Sequence, residues 1–385
     1  MRILYVNPFS QAISGPDESL LSLLKRLIPL GVEAHVVLPA PGPQVERYEA
    51  LGARVHALPL TVLRRQSSLA ELSRLLRSGV GSVPGLVSLC RSVRPDVIHT
   101  NMEVVLDGLL AARFLGIPHV LHYRGNTLDE PKWIFDVLVR VWSSLSRQVF
   151  CISRATSALF VSRGQSGKTE VMYNPVDLEA FSVAVRSDEV RATLGARDGA
   201  PLVGTVARLH PRKDLETFLR AAALIHERVP ATRFVVVGSA ADDEERAYFA
   251  RLRDLATHLG LDSAMTWAGT RRDIPVVMKA LDLFVLTSRH EGFGRVVAEA
   301  MAAGCPVVVT DEGALPELVD EDRFGLRARA GDPNAFAEKS VSVLTDAELS
   351  RRLAQGGLQR SVDFGDRAVA ARVLATYRRL APAAD

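Results

Sequence analysis

The chain has 385 residues, with 47 Lys and Arg against 44 Asp and Glu, a net charge of +3, and 48% hydrophobic residues. That length exceeds one ordinary core and suits two domains of roughly 150–200 residues each. A balanced charged fraction of 24% excludes a disordered chain and a basic nucleic-acid binder. The three cysteines, Cys90, Cys151 and Cys305, are too far apart for a disulfide framework or a CxxC metal pattern, so a reducing, cytoplasmic setting is expected.

The N-terminal Met1-Arg-Ile-Leu-Tyr-Val-Asn7-Pro8 carries one charge and a short apolar run, as a first buried strand does and a signal peptide does not. Strands are predicted at 3–6, 34–38, 54–57, 97–100, 119–123, 149–153 and 170–173. A second series follows at 202–207, 233–238, 265–268, 283–287, 306–310 and 325–329. Runs such as Val235-Val236-Val237 and Val307-Val308-Val309 are continuous rather than alternating, the mark of parallel strands covered on both faces. Helical patterns lie between them, at 19–28, 215–227, 244–259 and 295–303. Alternating strands and helices imply doubly wound α/β sheets. The series restarts near residue 200, after Asn174-Pro175-Val176-Asp177 and a polar stretch over 186–200, so a hinge is expected over 175–200. The last helix, 367–380, is expected to return to the first domain. Two such sheets in tandem would face each other across a cleft at their strand carboxyl ends.

Between Thr61 and Pro95 stand Arg64, Arg65, Arg74, Arg77, Arg91 and Arg94 against Glu71 alone, with Leu69, Leu72, Leu75, Leu76 and Val80 at helical spacing. This reads either as a basic amphipathic helix lying peripherally on anionic membrane or as a surface helix whose apolar stripe packs on its own domain. No window reaches the ~18 apolar residues of a spanning helix.

Three segments carry chemistry. In Ser288-Arg-His-Glu291-Gly292-Phe293-Gly294-Arg295-Val296-Val-Ala-Glu299, a buried strand leads into a Gly-rich loop and then a helix. Glu291 stands at the loop mouth and Glu299 about one turn inside the helix. The amides near Phe293–Arg295 stand at a helix start, where donors suit a sugar hydroxyl or phosphate, and a carboxylate can take two sugar hydroxyls at once. In Val206-Ala-Arg208-Leu-His-Pro-Arg212-Lys213, a strand end precedes a short loop that would bring Arg208 and Lys213 together on a diphosphate. Near the N-terminus, Ser14-Gly15-Pro16 joins the first strand to the first helix, and Gly15 permits close ligand approach. The acidic run Asp242-Asp243-Glu244 reads as a helix start.

Glu291 and Glu299, separated by seven residues, resemble the EX7E motif of retaining GT-B glycosyltransferases, and the chain resembles glycosyltransferase family 4. Ser14–Leu24, Pro95–His99, Tyr173–Phe181, Val206–Lys213 and Gly313–Val319 are similar to further family segments, in the family's order. The resemblance implies the GT-B fold, two Rossmann-like domains over 1–180 (acceptor) and 181–365 (donor), with helix 366–385 packed back on the first. It implies a retaining hexosyltransferase that moves sugar from a nucleotide diphosphate, a UDP-sugar foremost, to a hydroxyl of a glycan, lipid-linked or small-molecule acceptor. Glu299 would hold the ribose and Glu291 the sugar, while Arg208 and Lys213 clamp the diphosphate. Gly15, Gly238, Thr270, Arg271, Gly292, Phe293, Gly294, Arg295 and Val296 complete the donor pocket. Arg208, Lys213 and Glu291 would be catalytic, with no metal and no other cofactor. Ser14, Asn101, His122, Arg124 and Asn126 are the acceptor-side candidates. Arg124 stands where the family often has His, and being always protonated it would bind an anionic acceptor or the transferring region rather than act as a base. His122 is expected on the same strand face as Arg124. An epimerase of the same fold and a non-catalytic donor-binding subunit are the competing readings.

Overall fold

A computed structural model describes residues 1–11, 15–63, 82–125, 132–183, 185–196, 199–320 and 322–381. The chain forms two units, residues 1–175 with 366–385, and residues 176–365. The first holds seven parallel strands: β1 (Arg2–Val6), β2 (Glu33–Leu38), β3 (Arg54–Ala57), β4 (Val97–Thr100), β5 (His119–Tyr123), β6 (Gln148–Cys151) and β7 (Thr169–Val171), in the order β3-β2-β1-β4-β5-β6-β7. The second holds six: β8 (Leu202–Val206), β9 (Arg233–Val237), β10 (Met265–Gly269), β11 (Leu283–Leu286), β12 (Val307–Thr310) and β13 (Leu326–Ala328), in the order β10-β9-β8-β11-β12-β13. Both are doubly wound sheets, as the apolar runs imply. In each, strand order reverses beside the first strand: between β1 and β4, and between β8 and β11. Ligand sites of such sheets lie at those reversals, outside the carboxyl ends of the strands.

The last helix, Asp366–Leu380, belongs to the first unit. Its Val369, Ala370, Val373, Leu374 and Tyr377 share one apolar cluster with Ile3 and Tyr5 of β1 and with Leu20, Leu24 and Leu27 of helix Gly15–Leu27. An ion pair from Arg26 Nε to Asp366 Oδ2, at 2.7 Å, fixes its start.

Two boundaries differ from the sequence expectation. The division falls at Pro175/Val176 rather than at 180/181, and helix Leu178–Ser182 lies wholly in the second unit. Much of the polar stretch read as a hinge is packed structure of that unit. Helix Asp188–Thr193 buries Arg191, whose guanidinium donates to Ala280 O at 2.5 Å and to Ala200 O at 2.6 Å, beside Asp282 at 3.0 Å.

Of the basic segment, residues 64–81 lie outside the described residues. The described helix over 82–93 buries Leu86, Val87, Cys90 and Val93 in the first unit and leaves Arg91 exposed. The apolar stripe itself, Leu69 to Val80, lies outside the described residues. No described helix is long and apolar enough to cross a membrane.

The first sheet also buries His99, His119 and His122. His119 is held between Thr100 Oγ1 and Ser146 Oγ, both at 2.9 Å, and burial pushes its pKa down to about 3. His99 and His122 stack at 5.5 Å, and burial, helped by the Arg124 charge, holds both well below the usual 6.5. Unfolding lets each take up a proton below about pH 6.5, so their stabilising effect is full above that pH and is lost as pH falls. Stability is expected to drop by as much as about 1.4 kcal/mol per histidine for each pH unit below that point. Urea midpoints between pH 7.5 and 5.5 check this; a flat profile would show that these rings are not neutral in the fold.

Candidate active site

The reversal between β8 and β11 gathers two loops. After β8 the chain makes a short turn, Pro211–Lys213, and Asp214 takes a left-handed conformation (φ 47°) before helix Leu215–Arg228 begins. After β11 the chain runs straight onto that turn. Thr287 Oγ1 donates to Lys213 O (3.1 Å) and Asp214 O (2.9 Å), and Arg289 N donates to Arg212 O at 3.0 Å. Arg289 Nε adds an ion pair to Asp214 Oδ2 at 2.9 Å. With the backbones sewn together, Lys213 Nζ meets Glu291 Oε1 at 2.5 Å. Burial alone would raise the Glu291 pKa. The Lys213 ammonium and its hydrogen bond outweigh it, with help from the Ser288 hydroxyl and the Arg212 charge, and hold the carboxyl below its ordinary value. Glu291 is therefore a charged, half-buried acceptor.

Gly292 and Phe293 lead from Glu291 to Gly294, which caps helix Arg295–Ala302. Phe293 is buried against Phe364, edge to face at 5.4 Å, and this anchors the loop. Val296 stays partly exposed. Glu299 is 8% exposed and forms an ion pair with Arg295, one turn earlier, at 2.9 Å. Both carboxylates of the motif thus face cations.

Arg208 and Lys213 each pair with a separate carboxylate. Arg208 turns to Glu245 at the start of helix Asp243–His258, while Lys213 holds Glu291. Gly238 closes β9, its N–H donating to Gly269 O at 2.8 Å. Thr270 Oγ1 donates to Ser239 Oγ at 2.8 Å, and Arg271 is engaged by both oxygens of Asp273, at 2.8 and 2.6 Å.

In the first unit, Gly15 opens helix Gly15–Leu27 and is exposed. Ser14 and Asn126 lie outside the described residues. Asn101 is fully buried at the end of β4. It donates to Asn7 Oδ1 at 3.0 Å, and Asn7 in turn donates to Asp17 Oδ1 at 2.8 Å. Arg124 departs from expectation: it is 5% exposed, not open to an anionic acceptor. Its guanidinium donates to Asn101 O (3.1 Å), Asn101 Oδ1 (2.6 Å) and Asn174 Oδ1, and its N–H donates to Glu103 Oε2 (2.8 Å). It ties the ends of β4, β5 and β7 together. His122 feels the Arg124 charge but takes different partners. The ring lies beside His99 and Phe150, next to the Tyr377 of the last helix that meets His99 Nδ1 at 2.5 Å. Neither residue is an exposed acceptor contact.

The pattern described as Glycosyltransferase Family 4 matches residues 13–180, and that described as Glycosyl transferases group 1 matches residues 186–360. A lipopolysaccharide core biosynthesis mannosyltransferase of Rhizobium meliloti is 30% identical over 317 residues, 77% of this chain and 87% of that protein. This chain is a family 4 glycosyltransferase. A GDP-mannose-dependent alpha-mannosyltransferase of Mycobacterium tuberculosis is 29% identical over 342 residues, 84% of this chain and 82% of its own length. Among solved structures, Anabaena HepE in complex with UDP is 25% identical and superposes with a TM-score of 0.84, over 98% of this chain and 100% of that one. The fold is GT-B.

One residue of the glycosyltransferase escaped the sequence reading. The acidic run at 242–244 is indeed a helix start, with Asp242 Oδ1 accepting from Glu245 N at 2.9 Å. Glu245 itself, three residues into that cap, is buried and holds Arg208. The spacing Asp242-x-x-Glu245 is a capping-box signal that could have singled it out, though it does not reveal the distant partner.

Proposed function

We infer that this glycosyltransferase moves a hexose from a nucleoside diphosphate donor, a UDP-sugar, to a hydroxyl of a glycan, lipid-linked or small-molecule acceptor, with retention of configuration. The observation that carries the reading is the Lys213–Glu291 pair, at 2.5 Å, at the strand reversal of the second sheet. Glu291, charged and fixed, accepts hydrogen bonds from sugar hydroxyls. Glu299, at the first turns of its helix, accepts those of the ribose. The Lys213 ammonium and the Arg208 guanidinium neutralise charge that grows on the leaving diphosphate, the role of a preorganised electrostatic clamp.

The acceptor oxygen bonds to the anomeric carbon on the face that the diphosphate leaves, and its proton passes to a phosphate oxygen. Retention then needs no carboxylate nucleophile at about 5 Å, unlike retaining glycoside hydrolysis. The UDP assignment is supported by HepE, whose structures contain UDP and UDP-glucose. With two cations on the diphosphate the reaction runs without a metal. A screen of UDP-, GDP- and ADP-sugars, with and without EDTA, tests the donor and the metal. Proton NMR of the product tests the stereochemistry. Turnover of UDP-sugars insensitive to EDTA, with an α-linked product from an α-linked donor, is the expected result. A β-linked product would sink retention, and turnover of GDP-sugars alone would sink the UDP assignment.

A further inference from the structure

We propose that Glu245 is a positioning residue for the donor diphosphate, acting through Arg208. This rests on the reading of Arg208 as a diphosphate ligand. The Glu245 side chain is 1% exposed, whereas that of Arg208, its partner, is 62% exposed. A carboxylate so deeply buried needs every lone pair engaged. Its Oε1 accepts from Arg208 Nε at 2.9 Å and also from Nη2, and its Oε2 accepts from Ala241 N at 2.7 Å. Asp242 Oδ1, accepting from Glu245 N at 2.9 Å, fixes the turn from which the side chain starts.

The contact therefore has a rigid side and an open side. Glu245 is anchored by its own helix start, and it grips one edge of the guanidinium. Among the described residues Nη1 makes no hydrogen bond, and the side chain as a whole is mostly exposed. An arginine on a long flexible stem would otherwise lose rotamer entropy on binding a ligand. Holding Nε and Nη2 in advance removes much of that loss and aims the remaining N–H groups outward from the end of β8. That is the strand end where the second sheet reverses. The same pair makes charge neutral at rest, so the diphosphate meets a guanidinium already oriented.

Glu245→Gln is nearly isosteric. Its amide nitrogen must face either the Ala241 N–H or the guanidinium N–H groups, donor against donor, so one of the two contacts is lost. The probe is whichever of UDP, GDP and ADP binds the wild-type protein most tightly by calorimetry, together with its matching nucleoside. Glu245→Gln is expected to weaken the nucleoside diphosphate about tenfold and leave the nucleoside unchanged, in line with loss of one charge-assisted hydrogen bond. Arg208→Ala should weaken it at least as much. The double variant should be no weaker than Arg208→Ala alone, because Glu245 acts only through that guanidinium. Glu245→Asp, which keeps the charge, should recover part of the affinity. A merely structural role for Glu245 would instead weaken nucleoside and diphosphate alike, or add to the Arg208→Ala loss. If Arg208→Ala weakens the diphosphate but Glu245→Gln does not, this proposal falls and the donor reading stands. If Arg208→Ala has no effect, the donor role of Arg208 falls and takes this proposal with it.

Discussion

Lys213→Ala is expected to lower the rate of sugar transfer, or of donor hydrolysis, by about 10²–10³-fold, the usual cost of deleting one preorganised donor aimed at developing charge. Two losses combine. The leaving diphosphate loses a cation, and Glu291 loses the group that keeps it ionised. In the wild type, burial raises the Glu291 pKa and Lys213 more than reverses it. A carboxyl whose folded pKa lies below its unfolded value stabilises the fold above about pH 4.5, and that stabilisation is lost as pH falls through the lowered value. In Lys213→Ala the contribution is gone at neutral pH, and burial is left to push the Glu291 carboxyl upward. The pair is largely but not fully shielded, with side-chain exposures of 28% and 17%. A stability loss of about 1–3 kcal/mol is therefore expected, short of what breaking a fully buried pair costs. Urea unfolding at pH 7 reads the second loss, and turnover of the donor found by the screen reads the first. Turnover at the wild-type rate would remove Lys213 from the mechanism.

The architecture was legible because strands covered on both faces carry continuous apolar runs. All thirteen strands lie within two residues of where those runs place them. The Glu291–Glu299 segment was legible for a related reason: a buried strand, a Gly-rich loop and a helix start fix the direction of both carboxylates locally. What failed depends on partners from elsewhere in the chain. Helices Leu178–Ser182 and Asp188–Thr193 are short and mostly polar, so periodicity has too few turns to act on. Arg191 reads as a solvent charge until the carbonyls of Ala200 and Ala280 appear beside it. The alternation rule put His122 and Arg124 on one face, and the Arg124 charge does act on the His122 ring, but the rule could not name their partners once β5 ends at Tyr123. Beyond that point the chain leaves the pleat, and Arg124 turns to Asn101 and Asn174 while His122 stays in the sheet. The pairing of Arg208 with Glu245 was missed in the same way, since Glu245 follows a different strand.

Gly313→Ala is expected to disturb the site although Gly313 is not itself assigned to the donor. Gly313 holds φ at 65°, and Ala314 N donates to Glu291 O at 2.9 Å, so this turn braces the peptide of Glu291. A Cβ on Gly313 would stand 2.5 Å from Glu291 O and 3.0 Å from Glu291 N. These atoms are backbone and cannot rotate aside. The left-handed conformation alone costs a non-glycine residue about 1–2 kcal/mol. The clash must then be relieved by moving either the turn or Glu291, for a combined loss of about 2–4 kcal/mol. If Glu291 moves, its carboxylate shifts relative to Lys213, and a displacement near 1 Å is worth about 10²-fold in rate. Gly260→Ala separates the two causes: Gly260 has φ 70° with nothing within 4 Å of a built Cβ, so it bears the conformational cost and no clash. Thermal midpoints and donor turnover of both variants decide the matter. Gly313→Ala should be the less stable of the two and the only one with impaired turnover. Equal midpoints and equal turnover would mean that the turn yields freely and does not brace Glu291.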